Sequence, residues 1–176
     1  GVSQLLPEKP EICLSGVNHG PNMGEDVLYS GTVAAAMEAT VMGIPSIALS
    51  YVGNHFEELE GWQGVVQAIL EGILGRETFP EDTLFNVNLP AVAPEDVHGI
   101  KITSLGRRRY SDSILRAKDP MGKEYFWIGG GSVSWRGPED SDFQAVEDGY
   151  VSVTPLHLDL TNYKLLKEIR AWDLGL

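Results

Sequence analysis

Leu59, Trp62, Val65, Val66, Ile69, Leu70, Ile73 and Leu74 recur at spacings of three and four, which predicts an amphipathic helix over Glu57–Leu74 stopped by Gly75. A second helix is predicted over Thr32–Met42. Ser30 or Thr32 can cap it, Ala34–Met37 are strong formers, and Gly43 and Pro45 end it. A third, over Thr161–Leu174, places Leu165, Leu166, Ile169 and Trp172 on one face. Short apolar runs bounded by Gly and Pro predict strands: Glu11–Leu14, ending at Gly16, then Ser46–Tyr51, Leu84–Leu89, Ile100–Leu105 and Tyr150–Thr154, the last stopped by Pro155. Arg109–Lys118 and Glu124–Ile128 flank the turn signal Asp119-Pro120-Met121-Gly122 and predict a hairpin. Val17–Gly24 and Gly129–Ser141 are predicted as loops, with a short turn at Phe143–Glu147. Strand, Gly-rich loop, helix, strand is a βαβ order, whose chemistry sits at the loop after the first strand. The prediction is one α/β domain over 1–176 with a projecting hairpin extension at 101–130.

The chain has 176 residues, 43% hydrophobic and 22% charged, an ordinary globular balance. Its formal net charge is -12, which speaks against wrapping duplex nucleic acid. Cys13 is the one cysteine and there is no Asn-x-Ser/Thr sequon, so a reducing, cytoplasmic setting is expected. No basic-then-apolar leader opens these residues, and the apolar stretch Thr32–Val52 is broken by Glu38, Gly43 and Pro45; no membrane span is expected.

Candidate chemistry centres on Ser15–Thr32. Gly16, Gly20 and Gly24 allow sharp turns and close backbone approach, and Ser30-Gly31-Thr32 stands where a helix begins. Free amides, the helix dipole and two hydroxyls would converge there on a phosphate. A tight connection with a Ser/Thr cap and no ligand fits the same residues, and both readings stay open. The stretch is neither GxxxxGK[ST] nor GxGxxG. Asn18 and Asn22 are amide ligands for a hard cation or turn-forming residues, with Glu25 and Asp26 the nearest carboxylates. The four histidines, His19, His55, His98 and His157, have no metal spacing with each other or with Cys13. Ser15 lacks a nucleophile-elbow context, and Cys13 reads as a small buried hydrophobe. Seven of the 13 basic residues fall between Lys101 and Lys123, among Tyr110, Tyr125, Phe126 and Trp127. That pattern suits a solvated hairpin face, attraction of an anion, or an oligomer contact.

Ser15-Gly16-Val17-Asn18, Gly20-Pro21-Asn22-Met23-Gly24 and Tyr29-Ser30-Gly31-Thr32-Val33-Ala34-Ala35-Ala36-Met37-Glu38 together resemble the SurE family of survival-protein E nucleotidases. Further matches follow at Asn86-Val87-Asn88-Leu89-Pro90, Asp119-Pro120, Tyr125-Phe126-Trp127-Ile128-Gly129, Asp142-Phe143, Ala145-Val146 and Gly149–Leu156. The resemblance implies a Rossmann-like three-layer α/β/α fold with a hairpin and an exchangeable C-terminal helix. It implies metal-dependent hydrolysis of nucleoside 5′- and 3′-monophosphates, with short-chain polyphosphate a further substrate. It implies a divalent cation, Mg²⁺ or Mn²⁺ with Ca²⁺ a further candidate, held by two adjacent Asp residues, a Ser and an Asn. Asn18 matches that Asn. Asn22, Ser30, Gly31 and Thr32 match the phosphate pocket, and Asn18 and Thr32 are the expected catalytic positions. Homodimers or homotetramers through the hairpin and C-terminal helix are expected. The family's Asn-Asp-Asp-Gly segment and serine ligand do not occur in these residues, which begin within the family's pattern, after its N-terminal βα units. A non-catalytic oligomerising or binding piece is therefore the alternative expectation.

Overall fold

In a computed structural model, residues 2, 4–53, 55–110, 114–128 and 133–174 are described. The strands of the main sheet are β1 (Cys13–His19), β2 (Ser46–Tyr51), β3 (Thr83–Leu89), β4 (Ile100–Ile102) and β9 (Val151–His157), in the order β1-β2-β3-β9-β4. β1, β2 and β3 run parallel, β9 is antiparallel to β3, and β4 is parallel to β9. α1 (Gly31–Val41) covers one face, and α2 (Gln63–Leu74) the other. α3 (Asp142–Glu147) lies beside β9 and β3, and α4 (Tyr163–Ile169) closes the described chain. This is the α/β/α sandwich expected. Among the described residues no helix is long and apolar enough to cross a membrane.

The two faces of the sheet differ, because side chains alternate along each strand. Ile47, Leu49, Tyr51, Val87, Leu89, Val151 and Val153 point to the α2 face and form the main core with Trp62 and Ile69. On the other face Ala48, Leu84 and Leu156 pack under Val33 and Ala36 of α1. Further along that face, at the carboxyl ends of β2 and β3, the same rows turn polar: Ser50, Asn86, Asn88, Ser152 and Thr154 are all buried. Register aligns Asn18, Ser50, Asn88 and Ser152 across four strands.

Several boundaries differ from expectation, each for a local reason. The first strand does not stop at Gly16; it runs to His19, with an irregularity in the pairing between Ser15 and Asn18. Gly16 makes this possible: its φ is +125°, and a Cβ there would meet the Leu49 carbonyl oxygen at 2.2 Å. The helix expected over Glu57–Leu74 is a 3₁₀ segment, Phe56–Trp62, followed by α2. Trp62 is 1% exposed, packs 6.2 Å from the Tyr51 ring, and pins that turn. β4 ends at Ile102 because Ser104 leaves to bridge Ser141. β9 continues through Pro155, where Tyr150–Thr154 was expected. The Val151 N–H and the Val153 carbonyl face β4, so Pro155 faces that side too, past the last β4 pair, and its missing N–H breaks no ladder bond. α4 is shorter than the expected Thr161–Leu174, starting where the Asn162 side chain accepts from the Leu165 N–H at 3.0 Å.

The projecting hairpin is a ribbon of two ladders. β6 (Ile114–Lys118) pairs with β7 (Glu124–Ile128) around the expected turn, where Asp119 Oδ1 accepts from the Met121 and Lys123 amides. Below it β5 (Arg107–Tyr110) pairs with β8 (Val133–Arg136), so part of the expected loop Gly129–Ser141 is strand. The two ladders therefore lie in Arg107–Tyr110, Ile114–Lys118, Glu124–Ile128 and Val133–Arg136, while Ile100–Ile102 belongs to the main sheet. Gly129 itself lies outside the described residues.

Candidate functional site

At the carboxyl ends of the parallel strands, the chain leaves β1 and folds Gly20–Met23 over the polar end of the sheet. The Gly20 N–H donates to the Tyr51 carbonyl at 2.8 Å, which starts the turn. Asn88 then holds the backbone of Asn22 from both sides. Its Oδ1 accepts from the Asn22 N–H at 2.9 Å and its Nδ2 donates to the Asn22 carbonyl at 3.1 Å. Asn86 Nδ2 donates to the same carbonyl at 2.8 Å. A side-chain amide thus pairs with a main-chain amide as a neighbouring strand would, in a place where no strand lies.

Asn22 passes this order on to Asn18. Asn22 Nδ2 donates to Asn18 Oδ1 at 2.9 Å and to Ser50 Oγ at 2.7 Å, and Ser50 Oγ donates to Asn18 Oδ1 at 2.9 Å. Asn18 Nδ2 donates to the Gly20 carbonyl at 2.9 Å. The two asparagines singled out by the sequence therefore meet, in a closed triangle with Ser50. Ser50 was not singled out, and Asn86 and Asn88 entered only within a family match, with no role assigned. The signal for Asn86 and Asn88 is the i, i+2 spacing of polar residues inside an otherwise apolar strand.

The loop continues into a 3₁₀ segment, Gly24–Leu28, and reaches the α1 N-terminus. Ser30 Oγ accepts from the Val33 N–H at 3.1 Å, so it is the helix cap. The Gly31 and Thr32 amides precede the first intrahelical bond, and the Thr32 hydroxyl has no hydrogen-bond partner among the described residues. A Cβ added at Gly31 would meet nothing within 4 Å, and Gly31 is exposed. The cap reading is realised by Ser30, while the Gly31 and Thr32 amides make no intrahelical bond. No hydrogen bond among the described residues joins this triplet to Asn18 or Asn22.

A second anchor lies at Gly24. Asp142 is fully buried at the start of α3. Its Oδ2 accepts from the Gly24 N–H, and its Oδ1 accepts from the Gly106 and Phe143 amides, all at 2.8 Å. Burial pushes its carboxyl above the usual carboxylate range, against the pull of these three donors. Glu25 accepts from the Arg108 N–H at 2.6 Å, which holds its carboxyl below the usual range, and Asp26 pairs with the Arg108 guanidinium. These two acids bind the ribbon root and are not turned toward Asn18.

The fit of a cation follows from the donors. Asn18 Oδ1 already accepts from two donors, Asn22 Nδ2 and Ser50 Oγ, which occupy both its lone pairs. Among the described residues no three His, Cys, Asp or Glu side chains come together as ligands. These residues do not by themselves make a divalent-cation site.

Comparison with known proteins identifies the family. The family profile described as Survival protein SurE matches residues 1–112. A Gemmatimonas aurantiaca protein named 5'-nucleotidase SurE is 57% identical over 96% of this chain and 68% of its own length. An Aquifex aeolicus protein of the same name is 48% identical over 97% of this chain and 68% of its own length. The crystal structure of the SurE protein from Aquifex aeolicus superposes with a TM-score of 0.78 at 45% identity, covering 93% of this chain and 65% of the solved one. The chain thus spans about two thirds of the length of these relatives, and it belongs to the SurE family.

Proposed function

We propose that this chain carries the phosphate-binding part of a phosphomonoesterase acting on nucleoside 5′-monophosphates. The observation that carries the proposal is the 57% identity, across nearly the whole chain, to a relative named 5'-nucleotidase SurE. The geometry supports it chemically. The Gly31 and Thr32 amides and the Thr32 hydroxyl are donors aimed from a helix N-terminus, suited to phosphate oxygens in the ground state and during transfer. Phosphoryl transfer asks chiefly for positioning and charge neutralisation. Asn22, held by Asn88 and Ser50, and Asn18, held by Asn22 and Ser50, would supply positioning.

Hydrolysis of 3′-monophosphates and short polyphosphate, a Mg²⁺ or Mn²⁺ requirement, assembly into homodimers or homotetramers through the ribbon and C-terminal helix, and a cytoplasmic setting belong to the same proposal. A cation would neutralise phosphate charge, and its carboxylate ligands would have to come from outside these 176 residues.

The test is AMP and p-nitrophenyl phosphate hydrolysis by the full protein with Mg²⁺ or Mn²⁺, comparing wild type with Asn18→Ala and Thr32→Ala. Hydrolysis that falls about a hundredfold or more in both variants supports the site. Unchanged rates in both overturn it, and a wild type that assembles but hydrolyses neither substrate returns the chain to the non-catalytic, oligomerising alternative.

A further inference from the structure

The buried carboxylate of Asp142 has no part in the phosphate chemistry above, yet three separate stretches of backbone meet on it. Gly24 has a φ of +53°, and a Cβ there would lie 2.8 Å from the Gly106 carbonyl oxygen. A Cβ on Gly106 would lie 2.4 Å from the Phe143 ring. The Asn loop and the foot of the ribbon therefore touch backbone to backbone, Gly106 lies against the Phe143 ring of α3, and the Asp142 oxygens accept from the amides of all three stretches. Met23, Phe143 and Val146 seal it, and the Trp135 ring stacks on Phe143 at 5.5 Å. Among the described residues Asp142 is the acceptor for the Gly24 N–H, Glu25 and Asp26 next to it bind Arg108, and Asn88 holds Asn22.

We propose that Asp142 is a positioning residue of the site: by tethering the Gly24 amide it fixes the Asn18–Asn22 loop against the foot of the ribbon. Its kinetic consequence rests on the phosphomonoesterase reading, whereas the tether itself does not. The division of donors makes a selective perturbation available. Oδ1 serves two amides and Oδ2 serves one, so an Asn side chain keeps its oxygen toward Gly106 and Phe143. Its NH₂ then faces the Gly24 N–H, donor against donor. Asp142→Asn releases the loop and spares the other two contacts.

The experiment is amide hydrogen exchange and side-chain amide NMR of Asp142→Asn in the full protein, with AMP hydrolysis measured per folded molecule. Gly24 is expected to exchange about tenfold faster or more while Gly106 and Phe143 stay near wild type. The Asn18 and Asn22 side-chain resonances shift, and kcat falls about tenfold to a hundredfold with KM little changed. Ile69→Ala, which loosens the opposite face of the sheet, leaves kcat of the folded protein unchanged. Unaltered Gly24 exchange and unmoved Asn resonances overturn the proposal, as does a released Gly24 in an enzyme with unchanged kcat. If wild type does not hydrolyse AMP, the function proposed above fails, and the exchange and resonance arms still decide the tether. If Asp142→Asn does not fold, wild type decides: a Gly24 amide exchanging at the rate of an open loop overturns the proposal.

Discussion

Asn86 and Asn88 are both fully buried on one face of β3, two residues apart, and both touch the Asn22 carbonyl. Their removal should nevertheless have very different costs. Asn88→Ala orphans the Asn22 N–H, a buried main-chain donor whose acceptor is Asn88 Oδ1. An unsatisfied buried donor costs about 1–3 kcal/mol. The vacated volume adds to it, since the surroundings close only in part. Asn86→Ala removes one of two donors to a carbonyl that keeps its bond from Asn88. It also deletes Asn86 Oδ1, a buried acceptor with no partner among the described residues, and so relieves a cost already present. The expected loss for Asn86→Ala is about 1 kcal/mol or less. For a chain of this size each kcal/mol moves Tm by roughly 2–4 °C, so thermal unfolding followed by circular dichroism resolves the two variants. Asn88→Asp adds a check: a carboxylate can accept from the Asn22 N–H but cannot donate to its carbonyl, and should fall between wild type and Asn88→Ala. Equal losses for Asn86→Ala and Asn88→Ala, or a greater loss for Asn86→Ala, would refute the view that the Asn22 N–H is the critical contact.

Two further outcomes follow from the same structure. Ser30→Ala should cost about 1 kcal/mol of stability through loss of the α1 cap, while Thr32→Val should leave Tm near wild type and abolish phosphate binding measured by isothermal titration. The reverse assignment would show that the two hydroxyls exchange roles. Tyr51 is buried, and its hydroxyl pairs with Glu58; burial first, then that bond, pushes its pKa up to about 12. The unfolded chain ionises Tyr51 earlier, so between about 10 and 12 the folded state binds more protons and stability falls as pH rises. Tyr51→Phe should flatten that decline in urea-unfolding free energies, and a decline as steep as that of wild type would discount Tyr51 as its source.

Much of this arrangement was legible in local pattern. The βαβ order, a Ser or Thr cap on α1 and the β6–β7 turn all rest on residues close in sequence. Gaps of 66 and 118 positions separate Asn22 from Asn88 and Gly24 from Asp142. No periodicity reports such pairs, since strand order and the return of α3 create them. Leu-Phe-Asn-Val-Asn-Leu does show two polar residues on one face of a strand. What it cannot show is that a loop, and not a strand, will take up their amides. The 3₁₀ segment before α2 failed for a related reason: its spacing is helical, but seating Trp62 beside Tyr51 overrides the helix. Pro155 misled in the other direction, since a proline is excluded only where a neighbouring strand needs its N–H.

That proline has a consequence for the life of the molecule among its own copies. Beyond Val153, β9 outruns β4 and has no strand paired on that side among the described residues. An exposed margin of main-chain donors is a template on which a stray segment can add itself and begin aggregation. Pro155 stands on that margin, solvent-exposed and without a donor to offer, so accretion there lacks its first rung. A residue that merely looked like a strand terminator is better understood as a guard on an edge that no described strand covers.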